Sequence, residues 1–219
     1  MSPRQYRAGQ RQVAAEQTRA RILEAACELL TGEKGPASFS MDAVAKTAGV
    51  ARMTVYYQFD SKTGLLEALF DDLAQRGGMA GMPAAFTAPT GGEALSAVLD
   101  VLTGFYASGR TALRRLRGLA ILDPELETAL RSRNERRRGG LRVVLGRVLA
   151  DRGAEVGEAG LDELVGVLFM LTSFETFDLL ADQVPDGRER ESGADDGRAV
   201  ARRVEELVLA VLDRRLAGS

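Results

Sequence analysis

Residues 40–62, SMDAVAKTAGVARMTVYYQFDSK, restrict the possible fold more than any other stretch of the chain. They read as a short helix, a glycine turn and a second short helix. The Ser40 hydroxyl suits an N-cap, which leaves Val44, Ala45 and Ala48 on one inward face. Gly49 falls where the chain must turn sharply, and a residue without Cβ accepts a positive φ there at little cost. The second helix turns Val50 and Val55 inward and leaves Arg52, Met53, Thr54, Tyr56 and Tyr57 for other faces. Ala45 is small where two steeply crossed helices must approach closely. Two short helices over a tight turn are the grammar of a DNA-binding helix-turn-helix.

The rest of the composition suits a helical protein with one basic end. A hydrophobic fraction of 45% is enough for a real core. Only six prolines interrupt a chain rich in Ala, Leu, Arg and Glu, side chains that lose little freedom in a helix. The formal net charge of −2 hides an asymmetry. Residues 1–62 hold nine Lys and Arg against six Asp and Glu, whereas residues 63–219 hold 20 against 25. A basic front on an acidic body can present one end to phosphates.

Histidine is absent and Cys27 is the single cysteine. A His-based triad or general base, a Cys/His zinc site and an intrachain disulfide are therefore excluded. There is no nucleophile motif and no phosphate-cradling glycine loop, so the expectation is a protein that is not an enzyme and uses no cofactor. Cys27, among Ala25, Ala26, Leu29 and Leu30, reads as a small buried apolar residue. The first residues lack the apolar core of a signal peptide. No apolar run reaches the roughly 18–20 residues of a membrane span. The expected setting is the cytoplasm, with no membrane partner.

Along the chain, residues 1–15 read as a polar arm bearing Arg4, Arg7 and Arg11, either frayed or laid against DNA. A helix follows over 16–30, broken by Gly32, Gly35 and Pro36. After the helix pair, another helix runs over 62–76 with Leu65, Leu66, Leu69, Phe70 and Leu73 as its apolar stripe. Residues 77–92, rich in Gly, Ala and Pro, form a loop or irregular connector. Helices are expected over 93–108 and 110–119, and a long one from Pro124 to about Asp151, capped by Asp123 and open to a bend at Gly139 and Gly140. Residues 161–181 read as one strongly apolar helix, 186–197 as a solvated loop, and 199–216 as the closing helix. The fold class is all-α, with about nine helices.

The segments TRARILEAACELL and GPASFSMDAVAKTAGVARMTVYYQFDSKTGLLEAL resemble the tetracycline-repressor (TetR) family of transcriptional regulators. The run from Val50 to Lys62 carries that family's spacing of valine, threonine, tyrosine, phenylalanine and closing lysine. The resemblance covers about 50 residues and implies a first helix bracing the second and third, with the third in the major groove. It implies an N-terminal three-helix DNA-binding domain over 16–62, behind the arm of 1–15, and a larger C-terminal regulatory, ligand-binding and dimerisation domain over 63–219. Asp60 stands where many relatives have proline, so it is expected to face away from the DNA backbone or to cap the next helix.

Roles at the DNA end follow from those positions. Arg52 is the candidate for reading guanine, since a guanidinium donates two hydrogen bonds to that base edge; a phosphate contact is the alternative. Met53 either touches a thymine methyl or covers the backbone. Ser40, Thr54, Tyr56, Tyr57 and Gln58 suit phosphate oxygens. Lys62, near a helix N-terminus, adds a cation where the helix already attracts phosphate.

One such module discriminates too few base pairs against a genome of competing sites, so a homodimer on a palindromic operator of double-stranded DNA is expected. Val165, Leu168, Val204, Leu207, Val208 and Val211, on the last two apolar helices, are the candidate dimer surface. A pocket for a small hydrophobic or amphipathic effector would draw on Phe86, Leu102, Phe105, Tyr106, Phe169, Met170, Phe174 and Phe177, with Glu175 and Asp178 to pair with arginine or orient a ligand. The arginines over 131–138 read as a solvated helix face paired with Glu127 and Glu135. The reading that results is a ligand-responsive repressor. The alternative is a helical small-molecule binding or scaffolding protein whose DNA function has decayed.

Overall fold

The computed structural model describes residues 3–183 and 193–217; the side chains of residues 3–9, 11 and 193–196 are not among those described. The expected solvated loop therefore lies largely outside the described residues, as do the side chains of Arg4, Arg7 and Arg11. Among the described residues the regular structure is entirely helical. It comprises α1 (Pro3–Thr31), α2 (Met41–Ala48), α3 (Arg52–Phe59), α4 (Lys62–Arg76), α5 (Met82–Phe86), α6 (Gly91–Ser108), α7 (Arg110–Ala120), α8 (Pro124–Asp151), α9 (Glu158–Leu171), α10 (Phe174–Ala181) and α11 (Gly193–Ala217). Single 3₁₀ turns precede α2, at Gly35–Ser38, and α5, at Met79–Gly81.

Two compact units divide the chain: Met1–Asp72 with Thr111–Ala129, and Leu73–Arg110 with Leu130–Ser219. In the first, Ile22, Ala26 and Leu30 of α1 are fully enclosed with Val44, Val55, Leu65, Leu66 and Leu69. Each such side chain contributes about 1.5–3 kcal/mol by leaving water. Arg115 closes the C-terminal end of α1, donating from Nη1 to the carbonyls of Leu30 and Gly32 at 2.5 Å each. Asp123 caps α8 by accepting from the Leu126 amide at 3.1 Å, as its sequence position promised. Cys27 is half-buried rather than enclosed.

The second unit is organised on the long contact between α6 and α11. Leu95, Val98, Leu99 and Leu102 face Val200, Val204, Val208 and Leu212 in its interior. Thr90 and Glu93 form a capping box at the start of α6, satisfying two orphan amides reciprocally.

Several expected boundaries move. The helix expected from residue 16 runs back to Pro3, because the intervening Arg, Gln and Ala are good helix formers and proline is suited to a first turn. The connector over 77–92 contains a 3₁₀ turn and α5, with Pro83 in the first turn. Arg147 holds that segment, donating to the Phe86 carbonyl at 2.6 Å and to the Ala88 carbonyl. Glycines 139 and 140 do not break α8. Gly140 instead makes room for α5, since a Cβ there would stand 2.8 Å from Phe86 Cζ.

The single apolar helix expected over 161–181 is two helices bent by 46°. Ser173 starts the second by accepting from the Thr176 amide at 3.1 Å, while Thr172 and Ser173 donate backward to Leu168 and Met170. Among the described residues no single helix is long and apolar enough to cross a membrane. The bent pair passes that test only by length and composition, and its Leu164, Leu168, Phe174 and Phe177 are buried.

Candidate nucleic-acid interface

The interface is built from α2, the turn after it, and α3. Ser40 sits in extended backbone and its Oγ accepts from the Ala43 amide at 3.1 Å, so its own hydroxyl proton remains available outward. Gly49 takes φ 65° and ψ 38°, the left-handed conformation that the reading of the turn required. The amide of Val50 then bonds the Ala45 carbonyl at 3.0 Å, which locks the second helix onto the end of the first.

The next helix has a clear inside and outside. Val55 and Phe59 are buried at 0% and 5% exposure, while Met53 and Tyr57, one turn apart on the same face, stand 73% and 86% exposed. Thr54, Tyr56 and Gln58 are half-buried at the margins of this face, and Lys62 is exposed beyond it, 5.8 Å above the Phe39 ring. Arg52 is exposed at the start of α3, and Ser40 is exposed at the start of α2.

Arg52 is held there. Its Nε lies 3.2 Å from Asp42 Oδ1, and its Nη2 donates to the Tyr56 hydroxyl at 3.3 Å. The bond to Tyr56, and then the Asp42 charge, push the guanidinium pKa further up from its ordinary value. Behind α3, Arg19 of α1 donates to the Gln58 carbonyl at 3.0 Å and lies 4.4 Å from the centre of the Phe59 ring. That contact caps the helix C-terminus with a cation, where the helix dipole favours one.

Of the two expectations for Asp60, capping is not met. Ser61 caps the next helix instead, accepting from the Gly64 amide at 3.0 Å. Asp60 occupies the centre of a three-residue turn closed by the Ser61 amide on the Phe59 carbonyl at 2.6 Å. Its φ of 60° and ψ of −46° make this the strained form of γ-turn.

Sequence reasoning missed Asp42, Arg19 and Arg115. Asp42 stood inside the motif, but its pairing with Arg52 requires the turn to be built. Arg19 and Arg115 act on carbonyls 39 and 85 residues away, and no periodicity announces such contacts.

In the second unit, the residues assigned to a ligand pocket divide. Leu102, Tyr106 and Phe177 line a small cavity of about 10 Å³ together with Thr103, Thr172, Ser173, Val200 and Val204, none of these five foreseen. Its size is that of about one water molecule. Phe105 and Phe174 belong to the same aromatic cluster, with ring centres 5.4 and 5.6 Å from Tyr106.

The others lie elsewhere. Phe86 sits against Gly140. Met170 is 57% exposed and Glu175 is at the surface. Asp178 is engaged by Arg110, whose Nε donates to its carboxylate at 2.6 Å. Phe169 is covered by Arg137 and Arg138, whose guanidinium carbons are 3.9 and 4.5 Å from its ring centre. Arg137 also donates to the Phe169 carbonyl and the Thr172 hydroxyl. The arginine run is thus not simply a solvated face.

Of the candidate dimer residues, Val165, Leu168, Val204 and Val208 are buried within the chain. They are spent on the unit's own core. Leu207 is 41% exposed and Val211 half-buried.

A capped helix, a left-handed glycine turn and an exposed, polar-aromatic second helix form a helix-turn-helix. Residues 22–69 match the family model for bacterial regulatory proteins of the tetR family. That match covers the N-terminal helix-turn-helix segment, about a fifth of the chain, which is similar to that family there. No curated protein sequence matches it.

Solved structures share the fold over most of their length. A TetR transcription regulator from Haloarcula marismortui is 20% identical, with a TM-score of 0.63 over 88% of this chain and 98% of that one. FadR from Bacillus subtilis, solved with stearoyl-CoA, is 21% identical, with 0.62 over 86% and 96%. A protein from Saccharomonospora viridis, solved with choline, is 16% identical, with 0.62 over 87% and 96%.

Proposed function

We propose that this regulator is a repressor that binds a palindromic operator as a homodimer and is released by a small hydrophobic or amphipathic effector. The observation that carries the DNA reading is the outer face of α3. Met53 and Tyr57 stand open to solvent beside the braced Arg52, while Val55 and Phe59 fix the opposite side in the core. In this reading Arg52 and Met53 meet base edges, and Ser40, Thr54, Tyr56, Tyr57, Gln58 and Lys62 meet the sugar-phosphate backbone. Functionally, residues 1–15 act as a basic arm, 16–62 as the reading head and 63–219 as the regulatory body.

The second unit supports the switch. Its interior aromatic cluster surrounds a cavity far below the 300–1,000 Å³ of an occupied ligand site. An effector that enters must part α6, α10 and α11, and so binds an open conformation in preference to this one. Such differential affinity is what moves a two-state equilibrium. FadR with stearoyl-CoA and the choline complex carry chemically unlike ligands on this fold, so the class of effector is read from the apolar lining alone. Pairing uses the exposed edge of α9 and α11, where Leu207, Val211 and Met170 remain available and Arg215 meets Glu163 at 2.6 Å.

Gel-shift titration of the full chain on DNA taken from upstream of its own reading frame tests the proposal. The expected result is a retarded species that survives excess unrelated competitor at moderate salt. Retardation abolished by the competitor overturns it.

A further inference from the structure

Asp42 and Arg52 are both exposed, at 66% and 58%, and an ion pair in that setting adds little to stability. Its effect is on orientation. A guanidinium has five N–H donors in a rigid plane. In Arg52 one Nη2 donor is directed at the Tyr56 hydroxyl, 3.3 Å away, and Nε lies 3.2 Å from Asp42 Oδ1 as an ion pair. Those two contacts come from different helices, α2 and α3. Together they restrict where the guanidinium lies.

Neither contact uses Nη1, which can form the end-on fork with an Nη2 donor. In the major groove, two acceptors side by side on one base are the mark of guanine, through O6 and N7; adenine and cytosine place a donor there. We infer that Asp42 is the positioning residue of the reading head, holding Arg52 with its end-on fork outward so that the head selects guanine at one position in each half-site. This deepens the regulator reading and rests on it.

Two consequences separate orientation from fold maintenance. Without Asp42, Arg52 becomes a mobile cation that accepts any phosphate or acceptor edge, so base preference falls. The lost carboxylate also removes repulsion from DNA, so affinity for unrelated sequences rises or holds. A merely structural residue would lower both together.

The test begins with selection of random-sequence duplexes by the full-length protein, followed by affinity measurements on the recovered duplex. The base pair governed by Arg52 is the one whose preference disappears in Arg52→Ala. At that position the wild-type protein should prefer guanine over other bases by roughly 5- to 150-fold, the range of a good bidentate contact. It should also lose affinity when the guanine is replaced by 7-deazaguanine, which lacks the N7 acceptor. In Asp42→Asn both penalties should shrink at least about three-fold, as expected for an arginine that is no longer preorganised, while binding to a scrambled duplex is equal or tighter.

If Asp42→Asn keeps the wild-type guanine and 7-deazaguanine penalties, the inference is overturned while the regulator reading stands. If it loses specific and scrambled binding in parallel, Asp42 is structural and the inference is again overturned. Failure of the wild-type protein to enrich any motif overturns the regulator reading itself.

Discussion

Replacing Asp60 with glycine should stabilise this protein. Among the described residues Asp60 is the single non-glycine with positive φ, at φ 60° and ψ −46°. A side chain in such a sparsely populated region costs about 1–3 kcal/mol. Glycine adopts the same backbone freely but gives the unfolded chain more freedom, which offsets about 0.5–1 kcal/mol. The net gain is up to about 2.5 kcal/mol, and at about 2–4 °C per kcal/mol for a chain of this size the melting temperature should rise by up to roughly 10 °C. Asp60→Asn is the companion variant. It keeps a side chain in the turn and removes only the charge, so its melting temperature should stay near that of the wild-type protein. Both variants should bind any duplex somewhat more tightly, since each removes a negative charge beside the reading head. Thermal melts followed by circular dichroism decide the matter. Asp60→Gly melting at or below wild type would refute the claim that strain is stored in this turn.

Other outcomes follow from equally local features. Burial, and then the neighbouring Asp100 charge, raise the Glu205 carboxyl pKa, against a weaker opposing bond from Ser96. A carboxyl raised by folding stabilises when protonated and loses that contribution as pH rises through its folded value. Glu205→Gln should therefore raise the melting temperature at pH 7 and above, with the difference shrinking as pH falls below the ordinary carboxylate range. Arg115→Ala removes two charge-assisted bonds to the end of α1, worth about 1.5–3 kcal/mol even when one survives through water; chemical denaturation followed on the N-terminal unit should show that loss. Leu207→Arg places a charge on the proposed pairing edge and should convert the dimer to monomer in sedimentation velocity, with a melting temperature that no longer depends on protein concentration.

The reading head was legible because its signals are local. A serine three residues before a bonded amide, a glycine at the turn and alternating inward residues each act within one or two helical turns, so Ser40, Gly49, Val44 and Val55 could be placed without a tertiary structure. The bracing of that head was not legible. Arg52 finds Asp42 only once Gly49 has turned the chain, and Arg19 and Arg115 reach carbonyls on elements distant in sequence. The body shows a second limit. Val165, Leu168, Val204 and Val208 are apolar for the sake of the chain's own core, and apolarity does not say whether a residue faces that core or a partner. The bend between α9 and α10 was marked by Thr172 and Ser173, a capping pair concealed by the apolar run around it. Pocket residues divided for the same reason: Phe169 and Met170 share the aromatic and sulfur character of a lining, yet Phe169 packs under Arg137 and Arg138 and Met170 is exposed.

The central claim is that the exposed face of α3 reads DNA sequence as part of a two-fold pair. It is tested most directly by the ratio of affinities for a selected duplex and its scrambled counterpart, with the number of chains per duplex determined in the same sample. The account predicts a ratio of about 10³ or more at physiological salt, two chains per duplex, and collapse of the ratio in Arg52→Ala. A ratio near one, or selective binding by a single chain that Arg52→Ala leaves intact, would contradict it.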